Sequence, residues 1–162
     1  MKDLLNLIDV KRVISPVSVS DNTAQVGQII DRKGFDGLTY LIATGSIADA
    51  DATFTVLLEE GDAANLSDAA AVADADLIGT EALAGFQFDD DNECRKLGYK
   101  GTKRYTRLTI TPANNASAAL LSSIAVLSAP QSAPTAPTAS SRPSAGSVLS
   151  GEQEKLLREL FS

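Results

Sequence analysis

Apolar and polar residues alternate with a period of two through Thr53-Phe54-Thr55-Val56-Leu57-Leu58-Glu59-Glu60. Phe54, Val56 and Leu58 fall on one face, and Thr53, Thr55 and Glu59 on the other. That period, carried by β-branched and aromatic residues, predicts a half-buried strand. Thr39 to Thr44 is of the same kind, and so is Arg104 to Thr111, which is stopped by Pro112 and the Asn114-Asn115 turn. The last strand runs from Leu120 to Leu127, with Leu120, Ile124 and Val126 in register. Weaker strands are expected at 13–19, 24–30, 85–88 and 94–99, and Lys100-Gly101-Thr102-Lys103 is expected to turn a hairpin between 94–99 and 104–111. The Ala-rich stretch 62–78 has acids at 62, 68, 74 and 76, which leave no clean amphipathic face, so it reads as loop with a short strand or turn. About eight short strands separated by Gly, Asp and Asn predict an all-β, β-sandwich or jelly-roll-like domain over residues 1–128.

The pattern stops at Ser128. Residues 129–147 (APQSAPTAPTASSRPSAGS) hold four of the six prolines, Pro130, Pro134, Pro137 and Pro143, and no large apolar residue. Such a segment buries too little surface to offset its ordering entropy, so it is expected to be an extended Pro-rich linker. In polyproline geometry it would reach roughly 50–60 Å. Residues 148–162 then predict a short amphipathic helix. Ser150 and Gln153 form a capping-box pattern, Leu156, Leu157, Leu160 and Phe161 cluster on one face, and Glu154 and Arg158 make an i,i+4 pair. A helix of about eleven residues is marginal alone, so it needs a surface to pack on. Folding back onto its own domain is one reading. Delivery to another subunit or protein explains better why the helix has a 19-residue leash.

Composition narrows what such a protein can do. Its 162 residues include no His, no Trp and a single Cys, Cys94. A Ser-His-Asp or Cys-His centre cannot be built, the commonest zinc ligand is missing, and an intrachain disulfide is impossible. A net charge of −7 argues against nucleic acid as a partner. No window approaches the roughly 20 apolar residues of a membrane span, and Asp3 and Asp9 in the first apolar run are unlike a signal peptide. All of the net charge lies in residues 1–128, since residues 129–162 carry three bases and three acids.

The charges are also unevenly ordered. Thirteen acids and no base lie between Asp49 and Glu93, whereas six bases lie between Arg95 and Arg107. Subunits could attract one another through these stretches, although neutralisation between neighbouring strands of one domain is the default. Asp89-Asp90-Asp91-Asn92-Glu93 is rich in oxygen ligands for a hard cation such as Ca²⁺ but lacks the EF-hand spacing, so it reads as an acidic turn. The Asp49/Asp51 and Asp74/Asp76 pairs read the same way, with nothing to mark two carboxylates as facing a glycosidase cleft. Cys94 has no His to act as base and is expected to be a small, semi-buried strand residue. Tyr99 and Tyr105 among the Lys and Arg of 96–107 suggest a charged hairpin face rather than a stacking platform. Three Tyr and no Trp offer little for carbohydrate binding. Gly34-Phe35-Asp36-Gly37 is followed by no phosphate-binding motif.

The ordered series Gly34-Phe35-Asp36, Ala48-Asp49-Ala50-Asp51-Ala52-Thr53-Phe54, Ala73-Asp74-Ala75-Asp76-Leu77 and Lys103-Arg104-Tyr105-Thr106-Arg107-Leu108-Thr109-Ile110-Thr111-Pro112, closing with Asn114-Asn115, resembles a group of small virion proteins of tailed phages and prophages. The resemblance covers most of residues 1–128 and excludes the linker and helix. It implies a non-enzymatic β-sandwich without cofactors or metals, made in the host cytoplasm, that decorates or cements the outside of a capsid, commonly as a homotrimer. The partners it implies are the major capsid protein and other copies of the chain. The C-terminal helix is expected to dock through Leu156, Leu157, Leu160 and Phe161 on a neighbouring subunit or a second virion protein such as a head fibre. Alternatives are a tail component, a head-fibre base, or a carbohydrate-binding adhesion module.

Overall fold

The structure, a computed structural model, describes residues 3–136 and 158–160. A 3-10 turn at Leu5–Leu7 leads into β1 (Ile8–Val19), the short β2 (Gln25–Val26) and β3 (Ile30–Asp31), and the long β4 (Phe35–Ile47). Next come β5 (Thr53–Gly61), β6 (Ala70–Ala71), β7 (Leu77–Ile78), the single turn α1 (Glu81–Ala84) and β8 (Phe86–Gln87). The chain closes through β9 (Cys94–Tyr99), β10 (Tyr105–Ala113) and β11 (Ala119–Pro130). One sheet has the order β1-β11-β4-β9-β7; the other has the order β2-β10-β5-β6, with β3 also on β10 and β8 also on β5. All pairings are antiparallel.

The pairings nest. β1 pairs with β11, β2 and β3 with β10, β4 with β9, and β5 with β6 and β8. The two sheets share one core. Leu38, Tyr40, Ile42, Leu97, Tyr99, Leu121 and Leu127 of the first meet Ile30, Phe54, Val56, Leu58, Phe86, Leu108 and Ile110 of the second. Phe54 and Phe86 stack with ring centroids 4.6 Å apart. The domain is therefore all-β and sandwich-like, with the alternation expected on Phe54, Val56 and Leu58 realised in full.

Two local expectations differ from the fold, and one short element was not expected. Residues 100–103 do not close a hairpin, because β9 pairs with β4 in one sheet and β10 with β5 in the other. They form an arch between sheets, which a side chain fastens where a ladder would otherwise do so. Tyr99 accepts from the Lys103 N–H at 3.0 Å, and the Arg32 guanidinium donates to the carbonyls of Gly101 and Lys103. The expected 24–30 strand is broken into β2 and β3 at Gly27. A Cβ there would lie 2.5 Å from the Leu108 carbonyl oxygen, so the chain comes too close to β10 for any other residue. The stretch 80–84, not assigned from sequence, forms one helical turn whose Thr80 hydroxyl accepts from the Leu83 N–H at 3.1 Å, a standard N-cap.

Strand β11 runs two residues past Ser128, and the first Pro-rich residues lie against the domain. Gln131 donates to the Gly34 carbonyl at 2.9 Å, and Thr135 to the Asn6 carbonyl at 2.9 Å. The rest of the linker, 137–147, lies outside the described residues.

Candidate functional site

Strand β11 sits between β1 and β4 and carries large apolar residues on both of its faces. Its inward residues are Ala119, Leu121, Ser123, Ala125 and Leu127, three of them small. Leu120, Ile124 and Val126 point away from the core, with Leu120 46% and Ile124 40% exposed. Small inward residues suit this sandwich, because Tyr40, Tyr99 and Phe54 are fully buried and take up the volume.

Register extends the outward apolar positions across the sheet. Val10, Val126, Thr39, Gly98 and Ile78 lie opposite one another on five strands. The next row is Arg12, Ile124, Leu41 and Lys96, and the row after it holds Ser122, Ala43 and Cys94. The centre of this outer face is apolar, its only charges are the cations Arg12 and Lys96 at opposite ends of one row, and none of these residues is acidic. Two hollows border it. One, of about 470 Å³, lies among Ile78, Leu83, Lys96 and Gly98; the other, of about 320 Å³, lies beside Val17, Gly45 and Leu120.

The outer face of the second sheet is different. Thr111 faces Thr55, Thr109 faces Leu57 and Arg107 faces Glu59. Arg107 and Glu59 form an ion pair at 2.8 Å. Val26 and Leu57, 59% and 39% exposed, flank Thr109 in one row, but the threonines and the ion pair around them make this face more polar than the outer face of the first sheet.

The segregated charges of the sequence pair locally. Besides Arg107 with Glu59, Arg104 pairs with Asp31 at 2.8 Å, Lys103 with Asp62 at 2.5 Å, and Arg95 with Asp90 and Glu93, each at 2.7 Å. Neighbouring strands and turns thus neutralise one another inside the domain. Arg104 holds the Asp31 carboxyl below the ordinary carboxylate range.

The acidic turns are held by the same kind of local bond. Asp91 accepts from the Ile47 N–H at 2.7 Å, Asp90 from the Gln87 N–H at 2.8 Å, and Thr44 bonds both Asp90 and Glu93 backbones. Asp49 accepts from the Ala116 N–H, which lowers its pKa, and its closeness raises that of Asp51. Glu81 lines a hollow of about 430 Å³ beside β5, where its carboxylate accepts from the Leu58 N–H at 2.6 Å. No group of three or more His, Cys, Asp or Glu among the described residues is arranged to hold a metal ion.

Of the singled-out aromatic residues, Tyr40 and Tyr99 are buried, and Tyr105 lies under the Arg104 guanidinium at 5.0 Å. Burial raises the pKa of both buried phenols, with Glu60 adding to the effect at Tyr99. Cys94 begins a strand as expected but is exposed rather than semi-buried, since its position on β9 faces outward beside Ala43. Leu160 is in a helical stretch and 77% exposed, while Leu156, Leu157 and Phe161 lie outside the described residues. No helix among the described residues is long and apolar enough to cross a membrane.

No protein-family model matches this chain, and no curated protein matches it either.

Proposed function

We propose that this chain is a non-enzymatic structural protein of a phage virion that decorates and stabilises the capsid exterior. The observation that carries this reading is the difference between the two outer faces. One carries threonines and an ion pair around a single row of Val26 and Leu57, and the other is apolar over several rows with no carboxylate at its centre. A monomer surviving alone in water has no use for such a face, whereas a component laid against other subunits does. Cementing then works by repetition, with moderate contacts at many equivalent lattice sites adding up to firm attachment.

The strand order supports a jelly roll as the finer description of the fold. Pairing β1 with β11, β2 and β3 with β10, and β4 with β9 follows one long hairpin rolled across two sheets, an architecture used by viral shell and lectin domains. Side-chain chemistry separates these two uses. With Tyr40 and Tyr99 buried and Tyr105 under Arg104, the described surface presents no open tyrosine platform for a sugar, which weighs against the adhesion reading. The resemblance noted in the sequence adds the homotrimer and the major capsid protein as expected partners.

Density-banded particles from a lysate provide the test. The chain is expected to band with the major capsid protein at a fixed ratio that survives washing. Its absence from banded particles, or specific binding on a glycan array, would count against the decoration role.

A further inference from the structure

We infer that the apolar outer face of the β1-β11-β4-β9-β7 sheet receives the Leu156, Leu157, Leu160 and Phe161 segment of a second copy of this chain. The inference deepens the proposed function and rests on its reading of the C-terminal segment as a docking element.

Geometry and charge both select this occupant. Arg12 on β1 and Lys96 on β9 lie three strand spacings apart, about 14 Å, with Ile124 and Leu41 between them. An α-helix is about 10–12 Å across, so one lying along the strands fits between the two cations. As a helix at 100° per residue, the segment would place its four apolar side chains on one face, with Glu154 and its i,i+4 partner Arg158 on one border, Glu152 on the other and Lys155 opposite. An apolar stripe edged by carboxylates thus meets an apolar strip edged by cations. Two copies of the sheet face pressed together would instead gather two Arg12 and two Lys96 with no acid between them.

One observation points to a neighbour rather than the same domain, and the tether permits it. Leu160 is 77% exposed in the single chain, so its own domain does not cover it. Thr135 is bonded to Asn6, which places the start of the tether beside β1. The twelve linker residues 136–147 would reach roughly 37 Å when extended, more than twice the width of the strip. A tether of that length links adjacent subunits without constraining their arrangement.

Cys94 makes the test direct, because it is the only cysteine, it is exposed, and it lies one row from Lys96 on the proposed surface. In full-length protein, Gln153→Cys adds a thiol at the N-terminal end of the apolar stripe. On mild oxidation this variant is expected to form interchain disulfides to Cys94 about tenfold faster than a Ser140→Cys control in the linker. Replacing Leu156, Leu157, Leu160 and Phe161 with Ser should remove that advantage, and Lys96→Glu should reduce it. A disulfide confined to one chain, a rate equal to the control, or no disulfide at all overturns the inference. Particle banding is read separately, so failure here is distinguishable from failure of the decoration role.

Discussion

The hydroxyls of Tyr40 on β4 and Thr106 on β10 lie 2.7 Å apart, both fully buried, and join the two sheets through the core. Thr106→Val leaves the Tyr40 hydroxyl without its partner and is expected to cost about 1–3 kcal/mol, read by denaturant unfolding. Removing both hydroxyls with Tyr40→Phe and Thr106→Val should cost less than the two single changes summed. Strict additivity would show that the bond contributes nothing beyond its parts.

The same tyrosine sets an alkaline limit. Burial holds the Tyr40 phenol above its ordinary value of 10.0, outweighing the hydrogen bond with Thr106. The unfolded chain therefore ionises first, so this contribution is complete below pH 10 and is lost as pH climbs above it. Stability should fall above that point by up to about 1.4 kcal/mol per pH unit for this group. Tyr40→Phe should flatten the decline in unfolding midpoint between pH 9 and 12. An unchanged slope would assign the alkaline loss to other groups.

Adjacent leucines of β11 test which face is the core. Leu121 is 3% exposed and Leu120 46%. Leu121→Ala is expected to cost about 2–5 kcal/mol, and Leu120→Ala less than about 1 kcal/mol in the isolated protein. Comparable losses at both positions would mean that the apolar outer face is already covered.

That strand also shows where the sequence is legible and where it is not. β5 alternates cleanly between Phe54, Val56, Leu58 and Thr53, Thr55, Glu59, so both its existence and its inward face could be read. In β11 large apolar residues occupy both phases, and a period of two cannot say which phase is buried. Only Tyr40, Tyr99 and Phe54, brought in from distant strands, decide that Ala119, Ser123 and Ala125 fit inside. The 100–103 arch was hidden for a related reason: its Gly and Lys suit a hairpin equally, and the choice depends on Tyr99 and Arg32. Of the candidate site, the apolar outer face was not readable, because it exists only through the register of strands far apart in sequence.

Arg104 and Asp31 give an acid-side test. Their paired side chains hold the Asp31 carboxyl below the ordinary 3.8, so the linkage is present above that value and is lost as pH falls through the folded-state value. Arg104→Ala should move the Asp31 carboxyl resonance in an NMR titration upward towards the ordinary range. Because both side chains are more than 40% exposed, the effect on overall stability should be small at neutral pH and smaller in high salt. A resonance unmoved by the substitution would assign the depression to the Lys33 backbone N–H, which also bonds Asp31.

The most direct test of the account is electron cryomicroscopy of intact particles at side-chain resolution. The sandwich is expected at regular positions on the outside of the shell, its β1-β11-β4-β9-β7 face covered and its Thr and ion-pair face in solvent. A shell without this density, or bound protein with the apolar face bare, would contradict it.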